Sequence, residues 1–341
     1  MTAHPVPAAS PPRITVAMSV HDDAATVGAA IESILAQTFR DFEFLIVDDG
    51  STDGSGAIID AFAAADPRIR AIHQPNRGLI ASLNRLVADA RGDLIARMDG
   101  DDISLPGRFA AQVAFLDAHP DHGVLGTNTN EIDEADRITR CTDLHPLDHA
   151  AVDAALRHRS PVAHSSVMMR TGVVRAVGGY RAAYRHCEDY DLWLRLSERT
   201  RIANLPDRLL LYRRSSGQVS VRHVVEQQTG AVIARLAHHE RLAGRPDPTD
   251  GLDRLPSIAG LDALFGRSGV ASEVRGSLAR TIVYSREALR GGGLDLLIAH
   301  VAAGGARAGL WRTVARLIAF GDVPRALRLA AALLLPSRAA A

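Results

Sequence analysis

Ile95-Ala-Arg-Met-Asp-Gly-Asp-Asp-Ile-Ser-Leu-Pro106 runs an apolar segment into three carboxylates, Asp99, Asp101 and Asp102, within four positions. A strand that carries Leu94, Ile95 and Met98 into a core cannot end in three uncompensated negative charges. Carboxylates a few ångströms apart repel and raise each other's pKa. A positive group is required there, and a divalent cation bound to a diphosphate meets the need. The competing reading is a solvated acidic loop that caps the helix beginning at Pro106.

Outward from this point the first half alternates short β-rich runs with amphipathic stretches. Strands are predicted at Ile14 to Val20, Phe42 to Val47, Ile69 to His73, Leu94 to Met98 and Val124 to Gly126. Helices are predicted between them at Ala24 to Ala36, Gly54 to Ala65, Leu79 to Ala90 and Pro106 to Ala118. Apolar strands joined by helical crossovers imply a mostly parallel α/β sheet, whose ligands bind at the carboxyl ends of the strands. His21-Asp22-Asp23, Asp48-Asp49-Gly50-Ser51 and the Asp99 cluster all fall at such ends. From Asn128 to about Tyr212 the pattern is mixed, with helices at Asp148 to Arg157 and Glu188 to Ser197 and strands at Ser166 to Met169 and Ala203 to Tyr212. Beyond His223 it turns helical and rich in alanine and arginine. The expected organisation is a tail over residues 1–12, a catalytic domain over 13–222 and a helical region over 223–341.

Composition narrows the function. Formal net charge is zero, so no global field draws the chain to nucleic acid. All basic residues are arginine, which excludes a Schiff-base or P-loop lysine. Cys141 and Cys187 are too few for a disulfide framework or a cysteine zinc site, and a reducing, cytoplasmic setting fits. The proline- and alanine-rich start lacks a secretory signal, and no apolar run is long enough to span a bilayer.

Individual motifs leave alternatives open. Asp49-Gly-Ser-Thr-Asp53 mimics a calcium loop, but it follows a strand rather than a helix. Asp48 and Asp49 suit the base of a nucleotide pocket instead. Gly54-Ser-Gly56 is a fragment of a dinucleotide fingerprint in the wrong place, and no Gly-x-Ser-x-Gly elbow or His-Glu-x-x-His helix occurs. Glu188 and Asp189 open a helix, where carboxylates favour the positive dipole end. A catalytic base is the sharper reading of that pair, because a carboxylate beside a carbohydrate hydroxyl takes its proton as the new bond forms. His164, at the end of a loop, reads equally as structural or functional.

Taken in order, Val16-Ala-Met-Ser-Val20, Ile34-Leu-Ala-Gln-Thr-Phe-Arg-Asp-Phe-Glu43, Val47-Asp-Asp-Gly-Ser-Thr-Asp53, Asn76-Arg-Gly-Leu79, Met98-Asp-Gly-Asp-Asp102, His164-Ser-Ser-Val-Met168 and Glu188-Asp-Tyr-Asp-Leu-Trp-Leu-Arg195 resemble the family 2 glycosyltransferases. The resemblance covers residues 13 to about 220. It implies a GT-A fold, an α/β architecture with a mostly parallel central sheet flanked by helices, here followed by a C-terminal helical appendage. It also implies a nucleotide-sugar donor (UDP-, GDP- or dTDP-linked), a divalent metal (Mn2+ or Mg2+) and inversion at the anomeric carbon. Carried over by motif, Ser19 and Asp49 contact the base, Asp22 and Arg77 line its pocket, and Asp99 with Asp101 forms the Asp-x-Asp motif. Asp101 or Asp102 holds the metal, and Asp189, beside Glu188, is the general base. One departure concerns the histidine that relatives often place soon after Tyr212-Arg213. Arg214 and Ser215 stand there, so Arg213 and Arg214 are candidates for the diphosphate, with His164 beside them, or His223 substitutes.

Between Val301 and Ala341 stand six arginines and one acid, Asp322. Leu310, Val314, Leu317 and Ile318 share one helical face, suited either to an anionic membrane at the inner face of the cell or to packing on protein. A glycan or lipid-linked acceptor favours the first. Two other functions compete. A nucleotidyltransferase would need a basic grip near the first strand, where His21-Asp22-Asp23 is acidic; a non-catalytic binding protein would have no use for Asp189.

Overall fold

In the computed structural model, which describes residues 11–142, 145–214 and 223–335, the alternation read from the first hundred residues closes into one sheet. β1 (Ile14–Val20), β2 (Phe42–Asp48), β3 (Ile69–His73) and β4 (Leu94–Asp99) are mutually parallel, with β1 between β2 and β4. Helices α1 (Val27–Leu35), α2 (Ser55–Ala65) and α3 (Leu79–Asp89) make the crossovers. Ile14, Val16, Met18, Phe44, Ile46, Leu94, Ala96 and Met98 are buried, which is why these strands read as continuous apolar runs.

The second half of the sheet is mixed. β5 (Ile103–Ser104), β6 (His122–Ile132), β7 (Ile138–Thr142), β8 (Met168–Arg170) and β9 (Arg201–Arg213) extend it in the order β3-β2-β1-β4-β8-β6-β9-β5, with β7 paired to β6. β8 runs antiparallel to both β4 and β6, whereas β9 runs parallel to β6. β6 is far longer than the three-residue strand expected from the sequence. Its continuation is polar, Thr127-Asn-Thr-Asn130, yet Thr127, Asn128 and Thr129 are buried and laddered to β9. Asn128 Nδ2 also donates to Pro206 O at 3.0 Å. Inter-strand and side-chain hydrogen bonds satisfy groups whose polarity had suggested a loop. α4 (Arg108–Ala118), α5 (His149–Leu156) and α6 (Thr171–Ala176) flank this half.

The described residues of Met1–Tyr180 and Leu192–Ser215 form one compact unit, and those of Arg181–Asp191 and Ser216–Ala341 a second. Helix α7 (Glu188–Ser197) begins in the second and ends in the first. Most of the expected tail, residues 1–10, and the expected boundary near Arg222 lie outside the described residues. Segment Arg181–Asp191 is fixed within the second unit. Arg181 pairs with Asp191, and its Nη1 reaches Asp247 Oδ2 at 2.8 Å; Tyr184 Oη meets Thr249 Oγ1 at 2.8 Å. Arg241 Nη1 adds a 2.6 Å contact to the same Asp247 oxygen.

Long helices at Val224–Leu242, Val270–Ile282, Leu294–Ala302, Leu310–Ala319 and Val323–Leu334 build the rest of the second unit. They bury Ile233, Val274, Leu278, Leu297, Leu317 and Leu329. Of the helical face read from the sequence, Leu310, Val314 and Leu317 are buried and Ile318 is 54% exposed, so that face is largely consumed by packing. No helix among the described residues is long and apolar enough to cross a membrane.

Burial works against the Asp247 carboxylate, but hydrogen bonds from Thr249 and Arg181 hold it well below the usual carboxylate range. A depressed native pKa contributes stability above the unfolded value, near pH 4, and loses it as pH falls through the native one. Asp247→Asn is therefore expected to cost about 2 kcal/mol at pH 7 and progressively less below pH 4, measured by urea unfolding across that range. An equal loss at every pH would contradict this account.

Candidate active site

The register of the parallel strands aligns their ends: Val20 pairs with Asp48, and Ser19 with Asp99. Ser19, the β2 carboxylates and the acidic cluster therefore share one edge of the sheet.

On the β2 side, Asp48 accepts from Ser51 N at 3.0 Å and contacts His73 Nδ1 at 2.8 Å. Asp49, buried, accepts from Gln74 Nε2, Arg77 N and Gly78 N, each at 2.8 Å. Three of its roughly four acceptor directions are thus filled by loop 74–78, and one is left for an incoming N–H. Gly50 makes this approach possible. Its φ is +76°, and a Cβ there would stand 2.6 Å from Asn76 N. The Arg77 side chain is exposed. Asp22, itself at φ 57°, accepts from Thr52 N at 2.7 Å and so secures the turn beyond β2.

On the β4 side the three carboxylates offer oxygens all within 4.8 Å of one another. Beneath them lie two guanidiniums that the motif reading did not single out. Arg97, 4% exposed, pairs with Asp99; burial opposes its charge, and Asp99 more than restores it. Arg108 is fully buried, donating to Arg97 O at 2.8 Å and Val167 O at 3.2 Å, and burial pulls its pKa down to about 9. The visible signal for Arg97 was a single arginine inside an otherwise apolar strand.

Even so the acids remain in excess. Burial, with Asp99 and Asp23 nearby, pushes Asp101 up to about 7. Asp102, fully buried, is raised by burial and then by Asp99 and Asp101. Asp102 Oδ1 accepts from Arg213 N at 2.8 Å. The nearby Ser165 hydroxyl opposes this rise, yet among the described residues no hydrogen bond of ordinary geometry reaches Asp102 Oδ2. Asp23 is a fourth member that the sequence reading left out. Burial and Asp99 raise it to about 6, although the His21 amide opposes this, and a Cβ on Gly100 would sit 2.8 Å from its Oδ2. A buried carboxylate oxygen with no ordinary hydrogen bond among the described residues, beside Asp23 and Asp101 whose pKa values burial raises, fits a hard divalent cation bound through oxygen. Asp99, Asp101 and Asp102 could together hold such a cation.

Arg213 is committed to this frame. Its Nε donates to Asp101 O at 2.7 Å, Nη1 to Asp133 O at 2.8 Å and Nη2 to Asp136 Oδ1 at 2.6 Å. Arg214, half exposed, reaches Glu131 Oε1 at 2.9 Å and lies over the Tyr212 ring. His164 is kept neutral by burial and then by Arg97, and its Nε2 shares a 2.8 Å hydrogen bond with Tyr180 Oη. Its ring stands edge-on to Trp193. In the second unit, Glu188 is buried and Asp189 half-buried in the first turn of α7. His223 stacks on His186, and both rings lie near Glu226.

The pattern of the family described as Glycosyl transferase family 2 matches residues 15–178. EpsE of Bacillus subtilis (strain 168) is 37% identical over 234 residues, 67% of this chain and 82% of that one. The chain belongs to glycosyl transferase family 2. The amylovoran biosynthesis glycosyltransferase AmsE of Erwinia amylovora is 33% identical, covering 56% of this chain and 72% of its own. Among solved structures, residues 1–349 of S. aureus TarS in complex with UDP-GlcNAc superpose with a TM-score of 0.56 at 14% identity, covering 93% of this chain and 90% of that fragment. The mannosyltransferase PcManGT from Pyrobaculum calidifontis, in complex with GDP-Man and Mn2+, gives 0.52 at 16% identity, over 96% and 88%. The fold is GT-A, with C-terminal helices added, and relatives of this family 2 chain serve polysaccharide biosynthesis.

If Arg97 supplies the charge that lets β4 end in acids, Arg97→Gln leaves the half-buried Asp99 without its partner. It is expected to lower stability by about 3 kcal/mol, whereas Arg214→Gln, at a half-exposed pair, is expected to cost under about 1 kcal/mol. Equal urea midpoints for the two variants would contradict the assignment.

Proposed function

We propose that this protein is an inverting glycosyltransferase. It moves a sugar from a nucleoside-diphosphate donor to a hydroxyl of a glycan or lipid-linked acceptor during cell-surface polysaccharide synthesis, in the cytoplasm at the inner face of the membrane. The observation that carries the reading is an acidic cluster at the carboxyl end of a parallel strand in which, among the described residues, one buried Asp102 oxygen has no hydrogen bond of ordinary geometry.

The division of labour follows from the residues. Asp49 has one acceptor direction left for a base N–H, Ser19 stands at the same sheet edge, and the exposed Arg77 guanidinium lines the nucleotide pocket with Asp22. Asp99 stays with Arg97, which leaves Asp101 and Asp102 to hold the divalent cation. When bound, that ion neutralises charge that builds on the diphosphate leaving group. Arg213 keeps the aspartates in place through the Asp101 carbonyl and the Asp102 carboxylate, so Arg214 is the more available cation for a diphosphate. His164, neutral, suits an acceptor contact better than a charge contact. Asp189, with Glu188 beside it, takes the proton of the acceptor hydroxyl as the new glycosidic bond forms. A single displacement through an oxocarbenium-like transition state inverts the anomeric centre.

Calorimetric titration with UDP-, GDP- and dTDP-sugars, with Mn2+ and then EDTA, is expected to give metal-dependent binding of one nucleotide class. Binding equally tight in EDTA would overturn the metal assignment. In a transfer assay with the donor so identified, Asp189→Asn is expected to leave donor affinity within about twofold and lower kcat by about a hundredfold or more. An unchanged kcat would remove Asp189 from its role.

A further inference from the structure

Twelve large apolar side chains are exposed among the described residues, and eight of them fall between Tyr284 and Leu335. This concentration is not the helical face that packs inside the second unit. In Leu310–Ala319, Leu310, Thr313, Val314 and Leu317 point inward. Trp311 and Ile318, seven residues apart and so on one stripe, are 51% and 54% exposed. The next helix repeats the arrangement. It buries Ala326, Leu329 and Leu333, yet leaves Leu327 65% and Leu334 76% exposed, again seven apart. Tyr284, 79% exposed, lies under the Arg316 guanidinium at 5.0 Å, so this aromatic joins the same part of the surface.

Scattered exposed leucines need no explanation, but a second apolar stripe on each of two successive helices does. The charge around the stripes says what covers them. Residues 301–341 hold six arginines against one aspartate, and Asp322 is already paired with Arg325 at 2.9 Å. Arg312 is exposed on the helix that carries Trp311. Arg325 and Arg328 are paired with Asp322 and Asp295, whereas exposed Arg312 adjoins Trp311 and Arg316 lies over Tyr284. Exposed aromatic and aliphatic side chains beside such arginines match the headgroup boundary of an anionic bilayer, where basic residues near the surface add attraction.

We propose that the helices Leu310–Ala319 and Val323–Leu334 are a docking surface for anionic phospholipid, inserting Trp311, Ile318, Leu327 and Leu334 at the acyl boundary. The contact would bring the enzyme to a lipid-linked acceptor, and to that extent it rests on the proposed function; lipid binding itself does not.

The chain has two tryptophans, and Trp193 is fully buried, so emission from Trp311 reports the contact. The full-length protein is mixed with phosphatidylcholine vesicles containing or lacking phosphatidylglycerol, then followed by flotation and fluorescence. The expected result is flotation with phosphatidylglycerol vesicles only, a blue shift of Trp311, and loss of both in high salt. Trp311→Ser with Leu327→Ser, both at exposed positions, is expected to weaken binding by about tenfold or more while metal-dependent nucleotide-sugar binding is unchanged. Vesicle binding without nucleotide-sugar binding would fail the proposed function and leave the docking surface standing. Absence of flotation overturns the surface, and so does a blue shift that follows protein concentration and dimer formation without vesicles, which would assign the stripes to a second copy of the chain.

Discussion

The constraint on which the rest depends is electrostatic. A parallel strand buried on both faces must end in several carboxylates, and the fold has to stabilise them without water. Arg97 and Arg108 supply part of the answer from below, and Arg213 ties the Asp101 carbonyl and the Asp102 carboxylate to the end of β9. The compensation is incomplete. Asp23, Asp101 and Asp102 all sit above the ordinary carboxylate range, and among the described residues one Asp102 oxygen has no hydrogen bond of ordinary geometry. Structure that neutralised the cluster fully would leave no affinity for a cation. Structure that neutralised none of it would not fold.

The β2 end follows a different logic. There the carboxylates are satisfied by local donors: two backbone amides and the Gln74 side-chain amide for Asp49, a backbone amide and the His73 imidazole for Asp48, whose carboxylate with that of Asp60 raises the imidazole pKa. Satisfied carboxylates make rigid walls, and Asp49 fixes the 74–78 loop that carries Arg77. Two acidic clusters at the ends of β2 and β4, on either side of β1, thus divide into one whose carboxylates are satisfied and one that keeps excess negative charge.

Much of this was legible in the residues. β1 to β4 could be read because strands buried on both faces must be apolar throughout, and the Asp99 cluster because acids interrupt that rule abruptly. Arg97 was harder, since one arginine among Leu94, Ile95, Ala96 and Met98 carries no periodicity to mark it as a partner of Asp99. Arg213 reads from the sequence as a candidate for the diphosphate, and its partners in the fold, Asp101, Asp133 and Asp136, carry no signal there because they lie between 77 and 112 residues away. The length of β6 was missed for a related reason. Thr127 to Asn130 look like a loop until β9 provides the partner strand. In the C-terminal helices the spacing of Leu310, Val314 and Leu317 gave the packed face, whereas the exposed stripe through Trp311 needed the fold to separate it from the core.

The central claim is that the excess negative charge at the end of β4 is completed by a divalent cation. Its most direct test is a crystal structure of the protein with Mn2+ and its nucleotide-sugar, read for anomalous scattering. The account expects one Mn2+ peak within coordination distance of the Asp101 and Asp102 carboxylates. A bound donor whose diphosphate is neutralised by arginine alone, with no ion at the cluster, would contradict it.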